Sequence, residues 1–177
     1  MHWLIVFLLA VSGAWAQTGS AVSTPSNPLV ASSKVFYQNA KQDILRSAEK
    51  LPESKYAFRP VDSVRTYGQI LAHVADGQYE FCGAAAGKHD HKGVEQTAKT
   101  KAEIEAALKT AFAYCDAIYA AMTDAQAAEM IPAFGGIKIS RLSMLDFNVA
   151  HTMEHYGNLV TYMRIEGVVP PSSEPRK

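Results

Sequence analysis

The sequence carries no excess of either charge. Lys plus Arg and Asp plus Glu each number 17, so the formal net charge is zero. Nucleic acids and anionic membranes are bound largely through basic surfaces, and we therefore expect neither as a partner. Charged residues make up only 19% of the 177 residues and hydrophobic residues 48%, a balance typical of a packed globular chain rather than a disordered one. This length suits one domain with a single core.

The sequence also lacks an apolar run long enough to span a membrane at its N-terminus. The run over residues 3–11 is far shorter than the ~20 residues that a spanning helix needs. It is followed by Ala14 and Ala16, which place small residues at the two positions that a signal peptidase recognises. Although no Lys or Arg precedes the run, residues 1–16 are interpreted as a signal peptide cleaved after Ala16, in preference to a membrane anchor.

The residue directly after this cleavage site is Gln17 and not a cysteine, and a lipid-anchored form is therefore not expected. The mature chain would be exported, to the periplasm or outside the cell, without stable insertion in a membrane. Its two cysteines, Cys82 and Cys115, would then lie in an oxidising compartment where a disulfide can persist. Residues 17–27 are rich in Ser, Thr, Gly, Ala and Pro and are interpreted as a flexible lead-in.

Strand-like alternation and internal repeats are missing as well, and the apolar periodicity is helical throughout. Four segments repeat apolar residues at three- and four-residue steps, and they predict helices over about 28–51, 66–86 and 101–122 and a fourth helix that begins after Ser140 or Ser143 and ends at Glu166. The expected fold class is all-α, a four-helix bundle over residues 28–173.

Two local expectations concern the first helix and the segment before the fourth. The buried face of the first helix is expected to begin at Val35 or Phe36 and to continue through Ala40 and Ile44. The stretch over residues 131–140 contains Pro and a Gly pair and is expected to be a loop.

Two histidines interrupt the buried face of the fourth helix. His151 and His155 are four residues apart, so both imidazoles are presented to one point, as in helical metal sites. His73 lies on the second helix and would be a third ligand if the middles of the two helices face each other. Gly77, four residues later on the same face, leaves space beside it.

Other interpretations of these histidines remain open. Core histidines can be hydrogen-bonded structural residues, because a buried polar group needs only a partner. The segment from His151 to His155 also matches H-x-x-E-H, the signature of inverted zinc peptidases, with Glu154 as general base. That signature needs a distant acidic ligand downstream, and only 22 residues follow His155. His89 and His91 belong to a polar segment without a rigid element, which favours a solvated loop.

The chain resembles the DinB (DinB/YfiT-like) family of metal-dependent four-helix-bundle proteins. The resemblance rests on KYAFRPVDSVRTYGQILAHVADGQYEF, where an aromatic-Arg-Pro connector leads to His73, and on HTMEHYGNLVTYMRIEGVVPPS near the C-terminus. It covers residues 28–173. It implies that one histidine of the second helix and two of the fourth bind a divalent ion, commonly nickel or zinc. Here these positions are His73, His151 and His155.

The resemblance also bears on the cysteines. If the second and third helices were antiparallel through a tight turn, Cys82 and Cys115 would be separated along the axis by roughly ten residues at 1.5 Å each. If the polar loop between them crosses the bundle, the helices run parallel and the cysteines come level. The resemblance favours this crossover and hence a Cys82–Cys115 disulfide.

The expected function is that of a metal-dependent enzyme with a small-molecule substrate, of the hydrolase or thiol-dependent transferase type. Three neutral imidazoles leave a fourth metal position for water or substrate. Known DinB members include enzymes that use low-molecular-weight thiols, which belong mainly to the cytoplasm and so fit an exported chain poorly. The alternative is a non-catalytic metal-binding or stress-related bundle. A homodimer is a further expectation, since dimers are common for small bundles.

Ligand histidines usually need an acceptor that orients the ring, and three acidic residues are near enough in sequence. These candidates are Asp76, Asp146 and Glu154. No residue is predicted to act directly in catalysis.

Overall fold

The computed structural model describes residues 25–175. The predicted signal peptide, residues 1–16, and residues 17–24 of the lead-in lie outside this range. Among the helices of the described range, none has the length and apolar character that crossing a membrane requires.

The described chain is mainly helical. Its α-helices are α1 (Pro28–Lys50), α2 (Tyr67–Gly77), α3 (Gly83–Ala85), α4 (Val94–Thr97), α5 (Lys101–Ala121), α6 (Asp124–Ala127) and α7 (Arg141–Ile165). A π-helical turn over Gln78–Cys82 joins α2 to α3, so residues 67–85 form one continuous helical segment, which we call the second arm. The remaining elements are two short strands, β1 (Met130–Pro132) and β2 (Lys138–Ser140), and 3₁₀ turns at Glu53–Lys55, Phe134–Gly136 and Pro171–Ser173. The four predicted helices are therefore present close to their expected bounds.

Three of the helices, α2, α5 and α7, begin at side chains that accept backbone amide hydrogens. Thr66 before α2 and Thr100 before α5 both form capping boxes, with Gln69 and Glu103 as the reciprocal partners. Ser140 accepts from the amide of Ser143 before α7. These contacts satisfy amides that have no partner inside the helix, which explains why the helices start where the sequence predicts.

The second arm and α5 run parallel. Gly68 at the start of α2 lies beside Ile104 at the start of α5, since a Cβ on Gly68 would be 3.2 Å from the Ile104 side chain. Near the other end, Cys82 and Cys115 form a disulfide with Cα atoms 5.5 Å apart, and both side chains are fully buried. The segment between the helices therefore crosses the bundle, as the resemblance implies.

The other two long helices run in the opposite direction to this pair. The end of α1 meets the start of α5, where the Lys101 ammonium donates to the Leu51 carbonyl at 2.6 Å. The start of α7 meets α3, where Arg141 donates to the Ala85 carbonyl at 2.6 Å. Consequently the middle of α7 lies against the end of α2, which decides where the histidines meet.

The buried face of α1 begins differently from the prediction. Val35 and Phe36 are 59% and 66% exposed, and Tyr37 is buried in their place. The Tyr37 ring stacks on Tyr119 with 4.6 Å between centroids, and its hydroxyl donates to the Phe112 carbonyl at 2.9 Å. Tyr37 and Phe36 lie three and four residues before Ala40, and helical spacing allows either side chain to be buried. The Phe112 carbonyl on α5, which accepts from the Tyr37 hydroxyl, decides between them.

The expected loop over residues 131–140 is instead a small antiparallel hairpin. Ile131 pairs with Ile139 across β1 and β2, and Ile131 is buried. Gly135 and Gly136 have positive φ angles of 64° and 81° at the turn. Three-residue strands are too short to show a period in the sequence, which is why the expectation was wrong.

Candidate metal centre

The structure brings His73 of α2 together with His151 and His155 of α7. The Nε2 atom of His151 lies 3.2 Å from that of His73 and 3.1 Å from that of His155. The possible ligand atoms of the three rings all lie within 4.8 Å of one another. Because α2 and α7 are antiparallel neighbours, residues 78 positions apart in sequence reach the same depth of the bundle.

Two of the separations among the three nitrogens fit a tetrahedral metal ion. Zinc binds imidazole nitrogen at about 2.0–2.1 Å, so two ligands of a tetrahedral ion are about 3.3 Å apart. The two measured separations, 3.2 and 3.1 Å, are close to this value. Three imidazoles are also a donor set that suits zinc, nickel, copper or iron.

A hydrogen-bonded cluster explains the same distances less completely. The Nε2 atom of His151 takes part in both short contacts. A ring nitrogen has a single in-plane hydrogen or lone pair, so it forms one well-directed hydrogen bond at a time. A shared metal ion uses the lone pairs of all three rings at once, which favours ligation.

The electrostatic environment keeps two of the rings in the form that binds metal. Burial lowers the pKa of His151 to about 4, with smaller effects from the neighbouring rings and from Arg65. Burial also lowers the pKa of His155, followed by the effect of His73, although the charge of Glu154 opposes the shift. Both rings are therefore neutral at pH 7 and offer a lone pair to a metal.

Gly77 gives the His151 ring its room. A Cβ at this position would lie 2.9 Å from Cε1 of His151, closer than real Cβ atoms come, and 3.1 Å from its Nδ1, a tight contact. The glycine in the helix interior therefore has a local reason, despite its cost of about 0.5–1 kcal/mol relative to alanine.

Glu95 is the acidic residue that reaches a ligand ring, and the sequence analysis did not identify it. Its Oε2 atom lies 3.3 Å from Nδ1 of His73, while its Oε1 atom accepts from Arg65 at 2.8 Å. A carboxylate at Nδ1 favours the tautomer that has its hydrogen on Nδ1 and its lone pair on Nε2. Glu95 therefore directs the free nitrogen of His73 toward the other two rings.

Two of the predicted acidic partners, Asp76 and Asp146, accept hydrogen bonds from groups other than the histidine rings. Asp76 accepts from the amides of Val94 and Glu95 at 2.8 and 2.9 Å, so it holds the start of α4. Asp146 accepts from the Ser33 hydroxyl at 2.6 Å on the side of α1. Glu154 is exposed and affects His155 only through its charge. Asp76 thus contributes to the site indirectly, because it holds the start of α4 and with it the position of Glu95.

The same geometry separates this site from that of an inverted zinc peptidase. The third nitrogen comes from His73, upstream of the H-x-x-E-H segment, and the segment's Glu154 is exposed. His89 and His91 are both exposed on the polar loop. Within residues 25–175, His73, His151 and His155 are the group of His, Cys, Asp and Glu side chains close enough to hold a metal.

A buried polar network lies next to the histidines. The Asn148 amide donates to Gln78 Oε1 at 2.8 Å, and the Gln78 amide donates to the Thr152 hydroxyl at 3.0 Å. Asn148 also lies within 3.5 Å and 3.7 Å of the sulfur atoms of Cys82 and Cys115. Because Thr152 follows His151 directly, this network links the π-helical turn, the disulfide and the ligand helix.

The chain matches one protein family over most of its length. Residues 37–159 match the sequence profile of the DinB superfamily. No curated protein sequence matches the chain.

Several solved structures share the fold. A DinB-like protein from Bacillus subtilis is 22% identical, with a TM-score of 0.67 over 85% of this chain and 100% of its own. A DinB-like protein from Bacillus cereus is 16% identical, with a TM-score of 0.66 over 78% of this chain and 95% of its own. A mycothiol-dependent maleylpyruvate isomerase is 12% identical, with a TM-score of 0.61 over 73% of this chain and 60% of its own.

Proposed function

The chain belongs to the DinB superfamily, and from this premise we propose that His73, His151 and His155 bind one divalent metal ion, zinc or nickel. We propose further that the protein is a metal-dependent enzyme for a small molecule, of the hydrolase or thiol-dependent transferase type. The observation that carries the proposal is the convergence of the three rings, with the Nε2 atom of His151 at 3.2 and 3.1 Å from those of His73 and His155, close to the ligand separation of a tetrahedral ion.

The chain's own residues prepare this site in three ways. Burial keeps the rings of His151 and His155 neutral at pH 7. Gly77 leaves the volume that the His151 ring occupies, and Glu95 orients the ring of His73. When bound by three protein nitrogens, an ion of this kind supplies Lewis acidity at its remaining position. The partial exposure of His73, whose side chain is 28% exposed, gives a substrate access to that side.

A thiol co-substrate has limited support. The likeness to a mycothiol-dependent isomerase is at 12% identity and concerns the fold. The N-terminal residues 1–16 and the Cys82–Cys115 disulfide support an exported protein, in a compartment where low-molecular-weight thiols are scarce. We therefore propose export and place hydrolysis before thiol transfer.

Elemental analysis of protein purified without a histidine tag tests the metal proposal. We expect about one equivalent of zinc or nickel in the wild type and less than about a tenth in His151→Ala, because a site with two ligands binds far more weakly. His91→Ala is the matched control, since it removes an exposed loop imidazole, and it should keep the full equivalent. Equal and negligible metal in all three proteins would show that the rings are structural.

A further inference from the structure

Three phenylalanines form a cluster beside the histidines. The Phe81 ring, on the π-helical turn, contacts the His151 ring with 5.0 Å between centroids. Phe147, one turn before His151 on α7, lies 5.0 Å from Phe81, and Phe134 of the hairpin lies 4.9 Å from Phe147. We call these three residues the aromatic cluster. Phe81 contacts the proposed metal ligand His151, and Phe147 and Phe134 extend the cluster beyond Phe81.

The outer two rings of the aromatic cluster are poorly covered. Phe134 and Phe147 are 51% and 40% exposed, whereas Phe81 is 6% exposed. A single exposed phenylalanine is ordinary, but adjacent exposed rings that continue from a buried ring at a metal site are typical of a ligand surface. Each Å² of apolar surface that is removed from water contributes about 25 cal/mol of favourable free energy, and these exposed rings lack that contribution. A ligand that covers them would recover part of this free energy.

A cavity adjoins the same rings. It has a volume of about 540 Å³, within the range of small-molecule sites. Phe81 and Phe134 line it together with Ala84, Pro132, Ala133 and Met144, and its polar lining residues are Glu80, His89, Asp90 and His91. Phe81 therefore contacts both the cavity and the His151 ring.

The hairpin turn next to Phe134 has open space beside its two glycines. Gly135 and Gly136 follow Phe134 at this turn, and a Cβ at either position would meet no atom within 4 Å.

We propose that the aromatic cluster and its cavity hold a planar apolar group, of the size of a benzene ring, on the substrate of the metal site. The substrate class is then an aromatic compound whose polar reacting group projects past Phe81 and Phe147 to the three histidines. Edge-to-face packing against phenylalanine selects planar rings over aliphatic groups of similar area. This inference rests on the proposed metal function, because it needs a bound ion with an open position.

Calorimetric titration of the zinc-loaded protein with two hydroxamates tests the proposal. Both compounds bind metal through the same hydroxamate group and differ only in the attached substituent. Acetohydroxamate carries a methyl group and benzohydroxamate a phenyl ring. We expect the wild type to bind benzohydroxamate about tenfold more tightly, a difference of about 1.4 kcal/mol. Phe134→Ala and Phe147→Ala should each remove most of this advantage and leave acetohydroxamate binding within about twofold of wild type. Both residues are partly exposed, so neither change should unfold the protein.

Ile137→Ala is the matched control. Ile137 is 59% exposed on the same hairpin and does not line the cavity, so both affinities should be retained. Equal binding of the two hydroxamates to the wild type would refute the aromatic site while leaving the metal site intact. An advantage for benzohydroxamate that survives in both phenylalanine variants would place the ring elsewhere and overturn the assignment. If neither hydroxamate binds the zinc-loaded protein, the proposal that the bound ion has an open position is contradicted, and this inference is contradicted with it.

Discussion

Of the three histidine rings, His73 differs from the other two in the surroundings of its Nδ1 atom. A carboxylate oxygen of Glu95 lies 3.3 Å from that atom. The Nδ1 atoms of His151 and His155 are buried and form no hydrogen bond with the residues that the structure describes. The orientation of these two rings is instead limited by packing, against Gly77 and Phe81 in the case of His151. Single substitutions can therefore separate orientation by charge from orientation by packing.

Glu95→Gln tests orientation by charge. We expect the affinity for zinc to fall about 10- to 100-fold, because the amide is a weaker acceptor for the His73 Nδ1–H. Competition with a coloured chelator measures this affinity. Glu129→Gln is the matched control, since Glu129 also accepts from an arginine, Arg141, at 2.9 Å but lies away from the site. Equal losses in both variants would contradict a role for Glu95 at the ring.

The pKa of His151 makes the stability of the metal-free protein depend on pH. This pKa is about 4 in the folded protein because of burial, against about 6.5 in an unfolded chain. Between these values the unfolded chain binds a proton here that the folded chain does not, so the free energy of unfolding should fall as pH drops from about 6.5 to about 4. The lowered pKa of His155 acts in the same direction.

Urea unfolding of the metal-free protein between pH 8 and pH 4 measures this dependence. His151→Gln, which does not titrate, should flatten the curve below about pH 6.5 and leave it unchanged above. A slope that is the same in the variant and the wild type would show that other groups cause the acid sensitivity.

At the scale of the elements, the packing of the second arm against α7 sets the space available to the ligands. The π-helical turn over Gln78–Cys82 buries Gln78, Phe81 and Cys82, which reach the polar network, the aromatic cluster and the disulfide. Such turns are often found at functional sites. A 3.6-residue period predicts a plain helix here, since one extra residue in a turn leaves no mark in the apolar pattern.

Gly77→Ala tests this packing. The added methyl would lie 2.9 Å from Cε1 of His151, so the ring must move, and zinc affinity should fall at least about tenfold because metal ligands must be held within about 0.5 Å. The metal-free fold should survive, since alanine favours the helix. Zinc titration and urea unfolding measure the two effects.

Gly157→Ala is the control for the same substitution in a helix. Its added methyl would meet nothing within 4 Å, so we expect a gain of about 0.5–1 kcal/mol in stability and no change in zinc affinity. A Gly77→Ala protein that binds zinc like this control would mean that His151 tolerates the methyl group.

At the scale of the whole molecule, the Cys82–Cys115 disulfide joins two parallel helices across the crossover. The cysteines are 33 residues apart in sequence and fully buried. We expect the double variant Cys82→Ala, Cys115→Ala to lose about 2–4 kcal/mol in the free energy of unfolding, because the link restricts the unfolded chain. Urea unfolding measures the loss, and reduced wild type should resemble the variant.

Alkylation under denaturing conditions checks the same bond directly. Unreduced wild type should gain no mass, whereas two added alkyl groups would show that both thiols are free. Stability of the double variant equal to that of the oxidised wild type would contradict a stabilising role.

The sequence by itself determined the features that depend on neighbours along the chain. The helices follow from apolar steps of three and four residues, and the starts of α2 and α5 from Thr66 and Thr100, whereas for α7 the sequence left Ser140 and Ser143 as alternative caps. The pairing of His151 with His155 follows equally, because a separation of four residues places two side chains on one face of any helix.

Only the tertiary structure decided which distant side chains meet. Glu95 reaches His73 from a short helix within a polar segment, and Phe134 reaches Phe147 from a hairpin turn. The burial of Tyr37 in place of Phe36 depends likewise on α5. Helical periodicity is a local property of the backbone, whereas these contacts depend on how whole helices pack, which the spacing of residues along one segment does not specify.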